Sequence, residues 1–175
     1  MGDAVVTEML DRSRLRVREF SALLDALCRG GTTDISAAAA RATALTRQHF
    51  GKAIRLFAPL YLSNECINNC AYCGFSRDND ILRVTLTPEQ VEAEAAFLLG
   101  QGFRNILLVA GEHPRFVSNG YLEEVLARLS RTVPALAIEV APMEEPDYRR
   151  MVEAGAEGVV VYQETYDPGI YAELH

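Results

Sequence analysis

Between residues 54 and 162 short apolar runs alternate with longer amphipathic ones. The apolar runs, 54–62, 105–110, 135–140 and 158–162, have the length of strands. Pro59 weakens the middle of the first. Thr87-Pro88-Glu89-Gln90 opens a helix, with Thr87 as N-cap, proline in the first turn and Gln90 in the capping-box position, and that helix runs to about Gly100. Helical stretches near 121–131 and 145–154 follow. Strand, polar loop and helix in repetition predict an α/β fold with a parallel sheet, each strand ending in a polar loop. The predicted elements stop shortly after the fourth strand, which leaves two architectures open: a free-standing four-stranded sheet, or about half of a larger curved sheet or barrel.

The first fifty residues pattern differently. Apolar residues at 20, 23, 24 and 27 repeat with a helical period within 15–27, and Gly30-Gly31 stops the run. Thr33 or Asp34 is the expected cap of a second, alanine-rich helix ended by Gly51. The predicted organisation is an N-terminal helical region, 1–52, and an α/β core, 53–175.

Composition adds exclusions. With 17 basic and 24 acidic residues the net charge is −7, a poor balance for binding nucleic acid, whose phosphates need clustered cations. Arg12, Arg14, Arg16 and Arg18 make at most a local basic patch, read here as a solvated helix face. Charges interrupt the opening residues, so no signal peptide is expected, and no apolar run is long enough to cross a membrane. The expectation is a soluble cytoplasmic protein.

Three of the four cysteines, Cys66, Cys70 and Cys73, fall within "NECINNCAYCGFS" at C-x3-C-x2-C spacing. Asn64, Asn68, Asn69 and Gly74 around them tolerate tight or left-handed backbone. In a reducing compartment such a thiol cluster points to metal binding or catalysis more than to a disulfide. Structural zinc wants four closed ligands, so His49 or His113 would have to complete it. An iron–sulfur cluster held by three thiolates keeps one iron open for a cofactor. Both readings stand at this point.

The cysteine spacing after a first strand, with aromatic Tyr72 just before the last cysteine, resembles the radical S-adenosylmethionine (SAM) superfamily signature. "PLYLSNECINNCAYCGF", "ILLVAGEHP", "IEVAPM" and "YQETYDPGIYAELH" resemble blocks of the 2-iminoacetate synthase family, the tyrosine lyases of thiamine thiazole biosynthesis, over roughly residue 45 to the end. Hydrogenase-maturation tyrosine lyases share the cysteine loop and "QETY".

The resemblance implies that the four strands are the N-terminal half of a TIM-type radical SAM barrel. It implies that Cys66, Cys70 and Cys73 hold a 4Fe-4S cluster whose free iron is chelated by SAM, and that an electron from it cleaves SAM to methionine and a 5'-deoxyadenosyl radical. Tyr72 matches the position near the adenine. Gly111-Glu112 matches the block that meets the methionyl amino group, with Ala110 in place of the family's first glycine. Glu164 is a further candidate SAM contact, and Gln163 and Arg77 would share its rim. Glu139, a charge inside the third strand, is expected to face a cavity, because burying it unpaired would be costly.

The implied reaction is cleavage of the Cα–Cβ bond of L-tyrosine to 2-iminoacetate (dehydroglycine) and p-cresol. The implied partners are an electron donor such as flavodoxin or ferredoxin and a thiazole synthase. The alternatives are a hydrogenase-maturation-type tyrosine lyase or other radical SAM enzyme, and a truncated, non-catalytic iron–sulfur fragment.

Overall fold

Alanine-rich and amphipathic stretches free of internal glycine and proline become three helices in the first unit, Met1–Ile54, of the computed structural model, which describes residues 2–12, 14–114 and 120–175. They are α1 (Gly2–Asp11), α2 (Val17–Arg29) and α3 (Thr32–Phe50). The Arg41 guanidinium donates to the Leu10 carbonyl at 2.8 Å, tying α3 to α1, and Val6 and Leu23 are buried. Of the basic residues near the N-terminus, Arg12 pairs with Glu8 and Glu19. Gly31, rather than Thr33 or Asp34, is the N-cap of α3. Asp34 lies one turn inside, where a carboxylate is favoured by the amino-terminal end of the helix dipole.

The second unit, Arg55–His175, carries the predicted repeats. Its elements are β1 (Ala58–Ser63), α4 (Pro88–Gly100), β2 (Asn105–Ala110), α5 (Tyr121–Leu129), β3 (Ala135–Glu139), α6 (Glu145–Ala154), β4 (Gly158–Val159) and α7 (Pro168–Leu174). The strands are all parallel, in the spatial order β1-β2-β3-β4. Alternation decides the faces. Leu60 and Leu62, Ile106 and Leu108, and Leu136 and Ile138 share one buried side, in a register that sets Leu60 beside Leu108 and Leu108 beside Ile138. Val91 and Ala95 of α4, Val125, Leu126 and Leu129 of α5, and Met151 of α6 belong to the same buried cluster. Each fully buried aliphatic side chain there contributes roughly 1.5–3 kcal/mol. The opposite face is open: Tyr61 and Tyr162 stand well exposed on it.

β3 ends one residue short of the predicted run, and two strands are shorter by more. β1 starts at Ala58, the first residue to pair with β2, opposite Ile106; Pro59 is accommodated because β1 is an edge strand. The 158–162 run yields only Gly158–Val159. Val160 N–H still donates to Ile138 O at 2.8 Å, but among the described residues no strand lies on the far side of β4.

The capping box before α4 forms as expected: Thr87 Oγ1 accepts from Gln90 N–H, and Gln90 returns a bond to Thr87 N–H. Tyr121, at the start of α5, donates its hydroxyl to Leu86 O at 2.7 Å. Burial pushes its pKa from 10.0 up to about 12. The folded value lies above the unfolded one, so the neutral phenol stabilises the fold fully below pH 10 and its contribution is lost as pH rises towards about 12. Tyr121→Phe should remove that dependence. Urea midpoints measured across this pH range should fall more steeply for the parent chain than for the variant.

Candidate metal centre

β1 delivers the chain to Asn64, and the cysteine loop folds back on itself from there. Cys73 N–H donates to Cys70 O, Ser76 N–H to Cys73 O, and Arg77 N–H to Asn68 O at 2.8 Å. The Ser76 hydroxyl also donates to Cys70 O, and Asn79 Nδ2 reaches both Cys73 O and Gly74 O at 3.1 Å. Asn64, Asn68, Asn69 and Gly74 tolerate tight or left-handed backbone, and here none of the four has positive φ. The asparagines act through their amides instead: Asn69 Nδ2 donates to the Asp78 carboxylate at 2.8 Å, and Asn68 to Glu112.

Cys70 is buried, whereas Cys66 and Cys73 are half-buried. Burial pushes the Cys70 thiol up, and the negative charges of Cys73, Cys66 and Glu112 push in the same direction. A bound cationic centre reverses that tendency, since a coordinating thiol is deprotonated outright. Cys28 lies exposed on α2, in the first unit. Among the described residues no three His, Cys, Asp or Glu side chains close around a single ion. An iron–sulfur cluster takes its thiolates at separate iron corners, and thiolates are the donors this loop offers.

The end of β2 lies directly against this loop. Gly111 N–H donates to Ser63 O at 3.1 Å, and Ile67 N–H donates to Glu112 O at 2.9 Å. A side chain at Gly111 has no room: its Cβ would stand 2.4 Å from Glu65 O and 3.2 Å from Cys66 Cβ. The loop therefore rests on β2 because residue 111 is glycine. The Glu112 carboxylate, half-buried, accepts from Asn68 inside the cysteine loop, so the two predicted blocks meet.

Tyr72 and Glu164 also come together. Both line a cavity of about 240 Å³ with Tyr171 and His175, and burial first, then the charges of Cys70 and Glu164, raise the Tyr72 phenol. α7 docks on the loop, with Ala71 N–H donating to Leu174 O at 2.8 Å. The His175 ring stacks on Tyr171 and lies 3.7 Å from Cys70 Sγ through Nδ1. Glu164 additionally borders a cleft of about 470 Å³ on the open sheet face, together with Glu139, Tyr61 and Tyr162. Gln163 bonds its own loop at Thr165 O, and Arg77 pairs with neighbouring Asp78 in solvent.

Sequence reasoning missed Asn68 as a partner of Glu112, His175 beside Cys70, and Arg83. Asn68 was detectable as a polar side chain inside the cysteine motif. The other two carry no spacing signal.

Residues 60–175 match the radical SAM superfamily model. The chain is 40% identical over 172 residues to 2-iminoacetate synthase of Escherichia coli (strain K12), covering 98% of this chain and 45% of that protein. Its structure superposes on the FeFe-hydrogenase maturase HydG from Carboxydothermus hydrogenoformans with TM-score 0.87 and 32% identity, covering 99% of this chain and 41% of the maturase. Methylornithine synthase (PylB) gives TM-score 0.78 at 25% identity, with 97% and 50% covered. The chain thus spans about half or less of the length of each of these proteins.

Proposed function

The chain belongs to the radical SAM superfamily, and from that premise we propose that it is the cluster- and SAM-binding part of a tyrosine lyase of the 2-iminoacetate synthase type. The family's cofactors are a 4Fe-4S cluster and SAM. The observation that carries the reading is the cysteine loop seated on Gly111-Glu112, where a glycine is required for the approach and a carboxylate meets the loop from the next strand. The residues fit the cluster: one loop supplies three thiols, the soft donors that iron–sulfur clusters take, at C-x3-C-x2-C spacing.

Cys66, Cys70 and Cys73 would hold the cluster. When bound, it supplies the electron that cleaves SAM reductively. The protein's residues bind, orient and exclude water. Glu112, at the C-terminal end of a parallel strand, is suited to receive the methionyl ammonium, held in place by Asn68. Tyr72 offers an aromatic edge beside the loop, and Glu164 a carboxylate across the adjoining cavity. The cleft bordered by Glu139 and Glu164 is the place for an amino-acid substrate, L-tyrosine, whose ammonium those carboxylates attract. The products are 2-iminoacetate and p-cresol, feeding thiazole formation for thiamine. A low-potential donor such as flavodoxin or ferredoxin would supply electrons, and a thiazole synthase would take the product. No helix among the described residues is long and apolar enough to cross a membrane.

The test is anaerobic reconstitution of the chain, followed by SAM, dithionite and tyrosine. Brown protein with about four irons per chain, 5'-deoxyadenosine and p-cresol support the reading. Cyanide and carbon monoxide as end products would move the chain to the hydrogenase-maturation branch, to which its likeness to HydG also points. Iron without 5'-deoxyadenosine favours a non-catalytic fragment, and colourless protein with one zinc overturns the cluster.

A further inference from the structure

We propose that Arg83 is the positioning residue of the cysteine loop, a single guanidinium that ties the strand end before Cys66 to the turn after Cys73. The proposal rests on the reading that this loop holds the cluster.

Residues 82–86 run antiparallel along the end of β1. Leu86 N–H donates to Leu62 O at 2.9 Å, Asn64 N–H donates to Val84 O at 3.2 Å, and Ser63 bridges Thr85 through both backbone and hydroxyl groups. The Asn64 side chain locks this strap from both sides, accepting from Val84 N–H at 2.7 Å and donating to Leu82 O at 2.8 Å. The backbone on either side of Arg83 is therefore fixed before its side chain makes any contact.

That side chain is half-buried and spends its donors on the loop. Nη1 donates to Asn64 O at 2.6 Å and Phe75 O at 2.8 Å. Nη2 donates to Ser76 O at 2.6 Å and to Arg77 O and Asn79 O at 3.3 Å. Asn64 lies two residues before Cys66, and Phe75 two after Cys73, so the guanidinium touches both ends of the segment that bears the thiols. No carboxylate among the described residues pairs with it, whereas the surface arginines Arg128 and Arg150 each bind two or more. Carbonyl dipoles alone meet its charge, and only the planar fork of arginine reaches so many of them at once.

The experiment compares the parent chain with Arg83→Gln and Arg83→Lys. In the metal-free protein, amide exchange is followed at Cys73, Ser76 and Arg77, whose N–H groups close the loop. In reconstituted protein, iron release to a chelator is timed. Arg83→Gln should speed loop exchange and release iron about 10- to 100-fold faster, the usual effect of losing a group that orients metal ligands. Arg83→Lys should recover only part of both. Parent-like behaviour of the Gln variant overturns the proposal, and so does full rescue by Lys, which would make charge alone sufficient. Loss of protection across β1–β3 as well, in either variant, overturns it too, by making Arg83 a general determinant of the fold. A parent chain that takes up no iron defeats the cluster reading instead, while loop exchange still decides the role of Arg83.

Discussion

Cys70→Ser should leave the chain folded but unable to hold iron. Cys70 is the most buried of the three loop thiols, and its carbonyl anchors the turn by accepting from Cys73 N–H and the Ser76 hydroxyl. Serine keeps that backbone arrangement and changes one atom, replacing a soft thiolate by a hard oxygen that iron–sulfur clusters take poorly. Reconstituted variant should lack the brown chromophore and fail to cleave SAM, with circular dichroism matching the parent. Cys28→Ser is the control: Cys28 lies exposed on α2, in the other unit, and its loss should leave iron content unchanged. Full iron in the Cys70 variant would mean that the loop is not the metal centre.

Gly111→Ala is expected to damage both stability and the site. The added methyl would meet the Glu65 carbonyl at 2.4 Å, and that neighbour is backbone that cannot swing aside. Overpacking of this kind costs about 1–3 kcal/mol. In a chain of this size that is a fall in Tm of roughly 2–12 °C. The strain can be relieved only by lifting the loop off β2, which breaks Ile67 N–H to Glu112 O and moves Cys66 and Asn68 together. Iron content should fall along with Tm. Gly100→Ala is the matched comparison, since nothing lies within 4 Å of its added carbon, and it should melt at or slightly above the parent temperature. Equal melting and equal iron for the two alanine variants would sink the close-approach argument.

Both predictions rely on features of different visibility. The cysteines announced themselves by spacing, and Gly111 by its place after an apolar run. Neither the Glu65 carbonyl above Gly111 nor the amide of Asn68 under Glu112 is legible in a linear reading, because each contact joins residues more than forty positions apart. Arg83 is the strongest case. In the sequence it is one of many arginines, set between Leu82 and Val84, and only the antiparallel strap from 82 to 86 aims it at the loop.

The sequence by itself determined the β/α order, the parallel sheet and the three thiols at the end of β1. These follow from apolar runs of strand length, helical patterning and local spacing, which any stretch of chain carries within itself. Strand ends were decided by tertiary structure, because a strand needs a paired neighbour: β1 pairs only from Ala58, opposite Ile106, and β4, which among the described residues has a neighbour on one side only, keeps two residues. Tertiary structure also decided how the loop is held, with five carbonyl oxygens converging on one guanidinium and a glycine admitting one backbone against another. Such contacts depend on where distant segments meet in space, and a one-dimensional pattern contains no term for that.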